Sequence, residues 1–196
     1  MMPATWSIIH GTEIRKRGRG ITIGGTLYFW RQLVIVVLVG IVALYFTLIA
    51  FGNITDYGTN FAFVKHVMGM DTTFRDGDLM WRAITNSMLL HLSYAGLILW
   101  ETATAVVCWI ATVLTIRSFR QSGTAFESAR RFTILGLLMS ILLWAGAFLT
   151  IGGEWFAMWQ SETWNGTEPA VRNFTVSGIA LIIVLLVGDT GQQTIE

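Results

Sequence analysis

"GLILWETATAVVCWIATVLTI", residues 96–116, decides the fold, because it is an apolar run of membrane-crossing length with a single carboxylate, Glu101, inside it. An α-helix rises about 1.5 Å per residue, so about 20 apolar residues cross a hydrocarbon layer about 30 Å thick. Hydrocarbon offers no partner to backbone N–H and C=O groups, so a crossing run must satisfy them internally as a helix. Residues seven apart on a helix fall about 20° from one another. Ser87, Tyr94, Glu101, Cys108 and Thr115 follow that step, with Thr104, Ala105 and Thr112 beside them. Leu92, Leu99, Val106, Ile110 and Val113 occupy the opposite side. The spacing predicts a small-and-polar stripe turned to other helices and an aliphatic back turned to lipid.

The rest of the chain follows the same pattern. Of 196 residues, 54% are hydrophobic and 13% charged, against about 25% charged in a soluble domain. The deficit lies in four apolar runs, predicted as crossings over residues 28–51, 84–116, 132–153 and 170–188. The expected fold is an all-α membrane protein with four transmembrane helices in one bundle. Residues 1–27 form a polar basic extension and residues 189–196 a short tail. The extension lacks the apolar core of a signal peptide, so the first crossing is expected to act as the insertion signal. The formal net charge of +1 gives no basic field for nucleic acid. The one cysteine, Cys108, lies within an apolar run, which leaves no disulfide framework and no cysteine-rich metal site.

Lysine and arginine in the loops set the orientation. Arg15, Lys16, Arg17 and Arg19 precede the first crossing, and Arg117, Arg120, Arg130 and Arg131 lie between the second and third. The other two connections carry mixed charge. Both termini are therefore expected in the cytoplasm. The large first extracytoplasmic loop then holds "FAFVKHVMGM", read as a short interfacial helix, and Asp78, read as the cap of the second crossing. The basic group "RKRGRG" is expected as a topology determinant, with Arg15, Lys16, Arg17 and Arg19 as candidate contacts for anionic lipid.

On this placement Glu101 sits about 24 Å above Arg117 and about 6 Å below the outer surface of the hydrocarbon. Asp56 and Glu154 are expected near the same level. The candidate buried polar site is thus Glu101, Tyr94, Cys108, Glu154 and Asp56. One reading makes Glu101 structural, protonated or hydrogen-bonded, fixing helix register. The other makes it part of a cation, proton or substrate route, although the remaining crossings carry no charged residue at mid-depth.

Other motifs point to chemistry less directly. The histidines are His10, His66 and His91. A membrane haem wants two axial ligands at matched depth, and His91 is expected above the hydrocarbon, so no haem, metal or other cofactor is assigned. Trp155, Phe156, Trp159 and Trp164, with His66 and His91, form a candidate partner surface. Interfacial aromatic anchoring explains the tryptophans equally well. Asn53, Asn165 and Asn173 stand in glycosylation-type sequons, read as chance. Gly136 and Ser140 form a small-xxx-small pair suited to close helix approach. No nucleophile–base pair, phosphate loop or nucleotide motif appears, so no enzymatic activity is expected.

"FGNITDYGTNFAFVKHVMGMDTTF", then "LMWRAIT", "LWETATAV" and "GGEWFAMWQS", resemble a bacterial family of predicted small integral membrane proteins, a domain of unknown function. The resemblance covers residues 28–188. It implies four membrane helices in a bacterial inner membrane and implies no activity. The sequence is thus expected to encode a non-catalytic small subunit. It would stabilise or assemble a larger, respiratory or redox, inner-membrane complex, in contact with lipid and with other subunits or copies of itself. A small ion-coupled transporter using Glu101 and a quinone- or haem-associated anchor are the alternatives.

Overall fold

The computed structural model describes residues 23–119 and 123–189, and these contain helices and loops without a strand. Arg15, Lys16, Arg17, Arg19, His10 and Arg120 lie outside the described residues, as does the tail from residue 190 onward.

The described residues form five α-helices and one π-helical continuation, with short 3-10 turns at Met80–Arg82 and Met158–Gln160: α1 (Ile23–Thr55), α2 (Tyr57–Gly69), α3 (Ser87–Ser118), α4 (Gly123–Ile141), its π-wound extension (Leu142–Trp155) and α5 (Thr167–Asp189). Among the described residues four stretches are long and apolar enough to cross a membrane: Thr26–Thr55, Ser87–Ser118, Thr124–Trp155 and Thr167–Val187. The first therefore runs a turn past its expected end at residue 51, which carries Asn53 onto the helix.

α3 is the hub of the bundle, packing along both α1 and α4, while α5 packs on α4 and its extension. α1 and α5 meet only sparsely. The buried residues of α3 are those that helical spacing selects: Tyr94, Glu101, Thr104, Ala105, Cys108, Thr112 and Thr115, together with Leu90, Ala111 and Ser118. Leu92, Leu99, Val106, Ile110 and Val113 are all exposed, forming an aliphatic back. Ser87, on the same stripe, is exposed at the helix start. Small residues allow the α3–α4 approach: a Cβ on Gly136 would stand 2.6 Å from Cys108 Sγ. Ser140, one turn on, shares a 2.6 Å hydrogen bond with Ser177 of α5.

α1 and α3 are clamped at both ends by side-chain hydrogen bonds. Gln32 Nε2 donates to Ser118 Oγ (2.9 Å) and Asn53 Nδ2 donates to Glu101 Oε2 (2.7 Å). In a lipid-embedded bundle, packing and such polar contacts hold helices together, because lipid tails are as apolar as the side chains. Trp100 Nε1 to the Met139 carbonyl and Trp109 Nε1 to Thr47 Oγ1, both 3.0 Å, add two more cross-links.

Asp78 does not cap α3. The helix starts nine residues later, and the Asn86 side chain accepts from the Leu89 N–H at 3.1 Å. Asn satisfies a free N-terminal N–H as well as Asp does. Asp78 instead donates its backbone N–H to Asp76 Oδ1 (3.1 Å) in a local turn. The π-winding is the other feature outside the sequence reading. The bonds of Phe156 N–H to the Ile151 carbonyl (3.0 Å) and Thr150 Oγ1 to the Ala145 carbonyl (2.8 Å) follow its five-residue step. π-turns occur mostly as short bulges and are frequent at functional sites.

α2 and the 158–160 turn form a cap at the Glu101 end. Val67, Met70, Phe156, Ala157 and Met158 are its buried core. Met70 and Ala157 hold left-handed backbone (φ 51° and 50°), a strain that persists only where surrounding packing dictates it.

Candidate functional site

The Glu101 carboxylate is 3% exposed and lies at the inner wall of a recess of about 390 Å³ at the cap end of the bundle. Asn53 supplies its hydrogen bond, and Tyr94 OH donates to the Asn53 carbonyl at 3.0 Å. Tyr94, Asn53 and Glu101 thus form a chain across the α1–α3 seam. The recess is otherwise walled by aromatic, aliphatic and small residues from α1, α2, α3, the π-wound segment and the start of α5.

Two more buried polar groups line the recess. Trp144 Nε1 and Asn173 Nδ2 each make no hydrogen bond, although their residues are 6% and 8% exposed. The Asn173 amide faces the neighbouring Tyr45 hydroxyl as a side-chain donor, with Nδ2 short of full hydrogen-bond geometry to it. A buried donor without an acceptor costs about 1–3 kcal/mol, so two of them in one recess mark it as a place where an acceptor belongs.

Of the five residues read as a buried polar group, Glu101, Tyr94 and Cys108 share the inner stripe of α3, all buried. Asp56 and Glu154 do not join them. Both are exposed, and neither lines the recess. Asp56 falls in the one-residue break between α1 and α2, and Glu154 lies with Arg82 and Trp155 in a separate surface hollow. A carboxylate at a helix end turns to solvent unless a partner holds it, and among the described contacts no hydrogen bond or ion pair reaches either carboxylate. The acid is joined by the amides of Asn53 and Asn173 instead. Both belong to sequons, and the sequence hides the amide role because the first crossing is expected to end at residue 51, two residues before Asn53. Its position two residues past an unbroken apolar run was the available signal.

The hydroxyls further along α3 are satisfied by their own helix. Thr104, Thr112 and Thr115 donate to the carbonyls of Trp100, Cys108 and Ala111 at 2.8 Å each. They fill the stripe as small polar residues and do not hand hydrogen bonds from Glu101 toward Ser118.

The proposed aromatic surface divides. Phe156 is not a surface residue: it is 5% exposed in the cap core, because the chain turns at Ala157 and folds its ring inward. Trp164 is half-buried, stacked on His66 with centroids 4.6 Å apart. Trp155 and Trp159 are exposed (45% and 52%) and are joined by residues the sequence did not single out. Trp81 meets Trp155 edge-on at 5.5 Å, Phe74 meets Trp159 at 5.9 Å, and the Arg82 guanidinium lies 4.9 Å from the Trp155 ring.

The histidines are held apart. His66 Nδ1 pairs with Asp71 Oδ2 at 2.7 Å. His91 stacks on Phe61 at 4.1 Å and hydrogen-bonds Tyr57 OH at 2.8 Å. Among the described residues no group of three His, Cys, Asp or Glu side chains could hold a metal ion.

Four apolar crossings around a small-and-polar stripe define an integral membrane protein. The chain belongs to the family described as predicted small integral membrane protein (DUF2165), which matches residues 31–187. No curated protein and no solved structure matches it.

Proposed function

We propose that this chain is a non-catalytic subunit of a larger bacterial inner-membrane complex, of respiratory or redox type, with both termini in the cytoplasm and the cap outside. The observation that carries the reading is the aromatic cluster on the cap. Phe74 and Trp81 are 72% and 70% exposed, yet each ring is braced edge-on by a second aromatic. Rigid Trp rings beside an Arg are the side chains that dominate protein–protein binding energy, and pre-bracing lowers the entropy lost on docking. The lysine and arginine bias supports the orientation. Small size supports a non-catalytic role.

An ion-coupled carrier is the second reading, favoured by the buried Glu101 alone. It is the weaker one, because the α3 hydroxyls below Glu101 bond to their own helix.

Purification in mild detergent from the native host, followed by mass spectrometry, tests the proposal. Defined large membrane subunits should accompany the wild-type chain in fixed stoichiometry. They should be lost from the Trp81→Ala/Trp159→Ala variant while its helical content and melting temperature stay near wild type. An unaccompanied wild-type chain, or equal recovery with the variant, contradicts it.

A further inference from the structure

We propose that the Glu101 recess is the head-group site of a ring-headed membrane lipid of the quinone type, with the lipid's tail lying between α1 and α5. The recess does not stand alone. A second hollow of about 210 Å³ lies at the sparse α1–α5 seam, walled by Ile41, Val42 and Val176, with Arg172 and Ser177 also on its wall. The two share Tyr45 and Asn173. They therefore adjoin, and together they lead from a groove on the lipid-facing flank, with Arg172 on its wall, to a polar end beside Glu101. Ile41 and Val176 are 57% and 49% exposed, so the groove's outer wall faces acyl chains, while Val42 and Ser177 form its buried floor.

The chemistry of the polar end selects the ligand. Trp144 Nε1 is a buried donor with no acceptor, and Asn173 Nδ2 is a buried donor with only a poorly aligned approach to Tyr45. Two N–H donors disfavour a bare cation, and the Glu101 carboxyl disfavours an anion. A neutral oxygen acceptor answers both, and a ring carbonyl is such an acceptor. The walls favour a planar ring: Tyr45, Phe63, Trp144 and Phe148 surround the recess, with Trp144 and Phe148 at 4.9 Å. The volume lies within the range of small-molecule sites, which are mainly apolar with a few convergent polar groups. Glu101 and Asn53 add an acceptor and a donor at the same end, so either a carbonyl or a hydroxyl on the ring finds a partner.

The test uses decylubiquinone as probe and the purified full chain in maltoside micelles, with bound quinone measured by equilibrium gel filtration. Retention should saturate near one quinone per chain. Trp144→Phe keeps the ring and deletes the N–H; Asn173→Leu deletes the amide. Each should raise Kd about tenfold, the loss of one buried hydrogen bond. Val176→Trp, which fills the groove while leaving the head site intact, should weaken binding by at least as much. Decyl phosphate, an anion with the same tail length, should not compete. Circular dichroism checks each variant, and Trp144→Phe, the most conservative, decides if another fails to fold. Unsaturable retention, unchanged Kd in Trp144→Phe, or equal competition by decyl phosphate overturns the proposal; the last assigns the path to an ordinary anionic lipid.

Discussion

Asn53 donates to Glu101 Oε2 across 2.7 Å, joining two helices through residues 48 positions apart in the chain. The bond answers the question that a carboxylate inside an apolar run poses. Glu101 is sheltered by α1, and the residue whose side-chain amide shelters it is held in turn by the Tyr94 hydroxyl on its backbone carbonyl. Glu101→Gln should therefore fold normally, since its side-chain carbonyl accepts the same bond. Glu101→Leu strands the Asn53 amide and should cost about 1–2 kcal/mol. Unfolding in mixed micelles by denaturing detergent reads both; equal stability of the Leu variant and wild type would refute the clamp.

The α3–α4 seam makes a reciprocal prediction. Gly136→Ala places a methyl at the 2.6 Å position beside Cys108 Sγ and should destabilise by about 1–3 kcal/mol through overpacking. Adding Cys108→Ala removes the obstructing sulfur and should recover most of the loss. A double variant no more stable than Gly136→Ala would place the close approach elsewhere.

Ser140 and Ser177 make a second seam, between α4 and α5, through a fully buried 2.6 Å bond. Removing one hydroxyl leaves the other unpaired, whereas removing both leaves two small apolar residues. Ser140→Ala and Ser177→Ala should each cost about 1 kcal/mol, and the double variant less than their sum. Strict additivity in the same detergent titration would count against the bond.

Much of this arrangement was legible in the sequence, for a physical reason. Lipid forces each crossing into a helix and makes face assignment a matter of periodicity, so the α3 stripe and its back could be read residue by residue. Gly136 likewise announced a close approach. What stayed hidden depends on where helices end and on what lies across from them. α1 continues past residue 51, and that turn carries Asn53 to Glu101. The π-winding of Leu142–Trp155 changes no residue type and leaves no mark in composition. The orphaned Trp144 and Asn173 come together from two different crossings, which no single-helix wheel can display. Phe156 reads as a surface aromatic until the left-handed Ala157 turns the chain back over it.

Orientation underlies both the partner surface and the accessibility of the cap, and one labelling experiment tests it. Cys108 is fully buried and should give little background, which Cys108→Ala removes altogether. In that background, Glu162→Cys on the cap and Gln193→Cys in the tail are exposed to a membrane-impermeant maleimide on intact cells. The account predicts labelling at position 162 before lysis and at position 193 only after it. Labelling at position 193 in intact cells, or protection of position 162, would contradict the four-crossing arrangement with both ends in the cytoplasm.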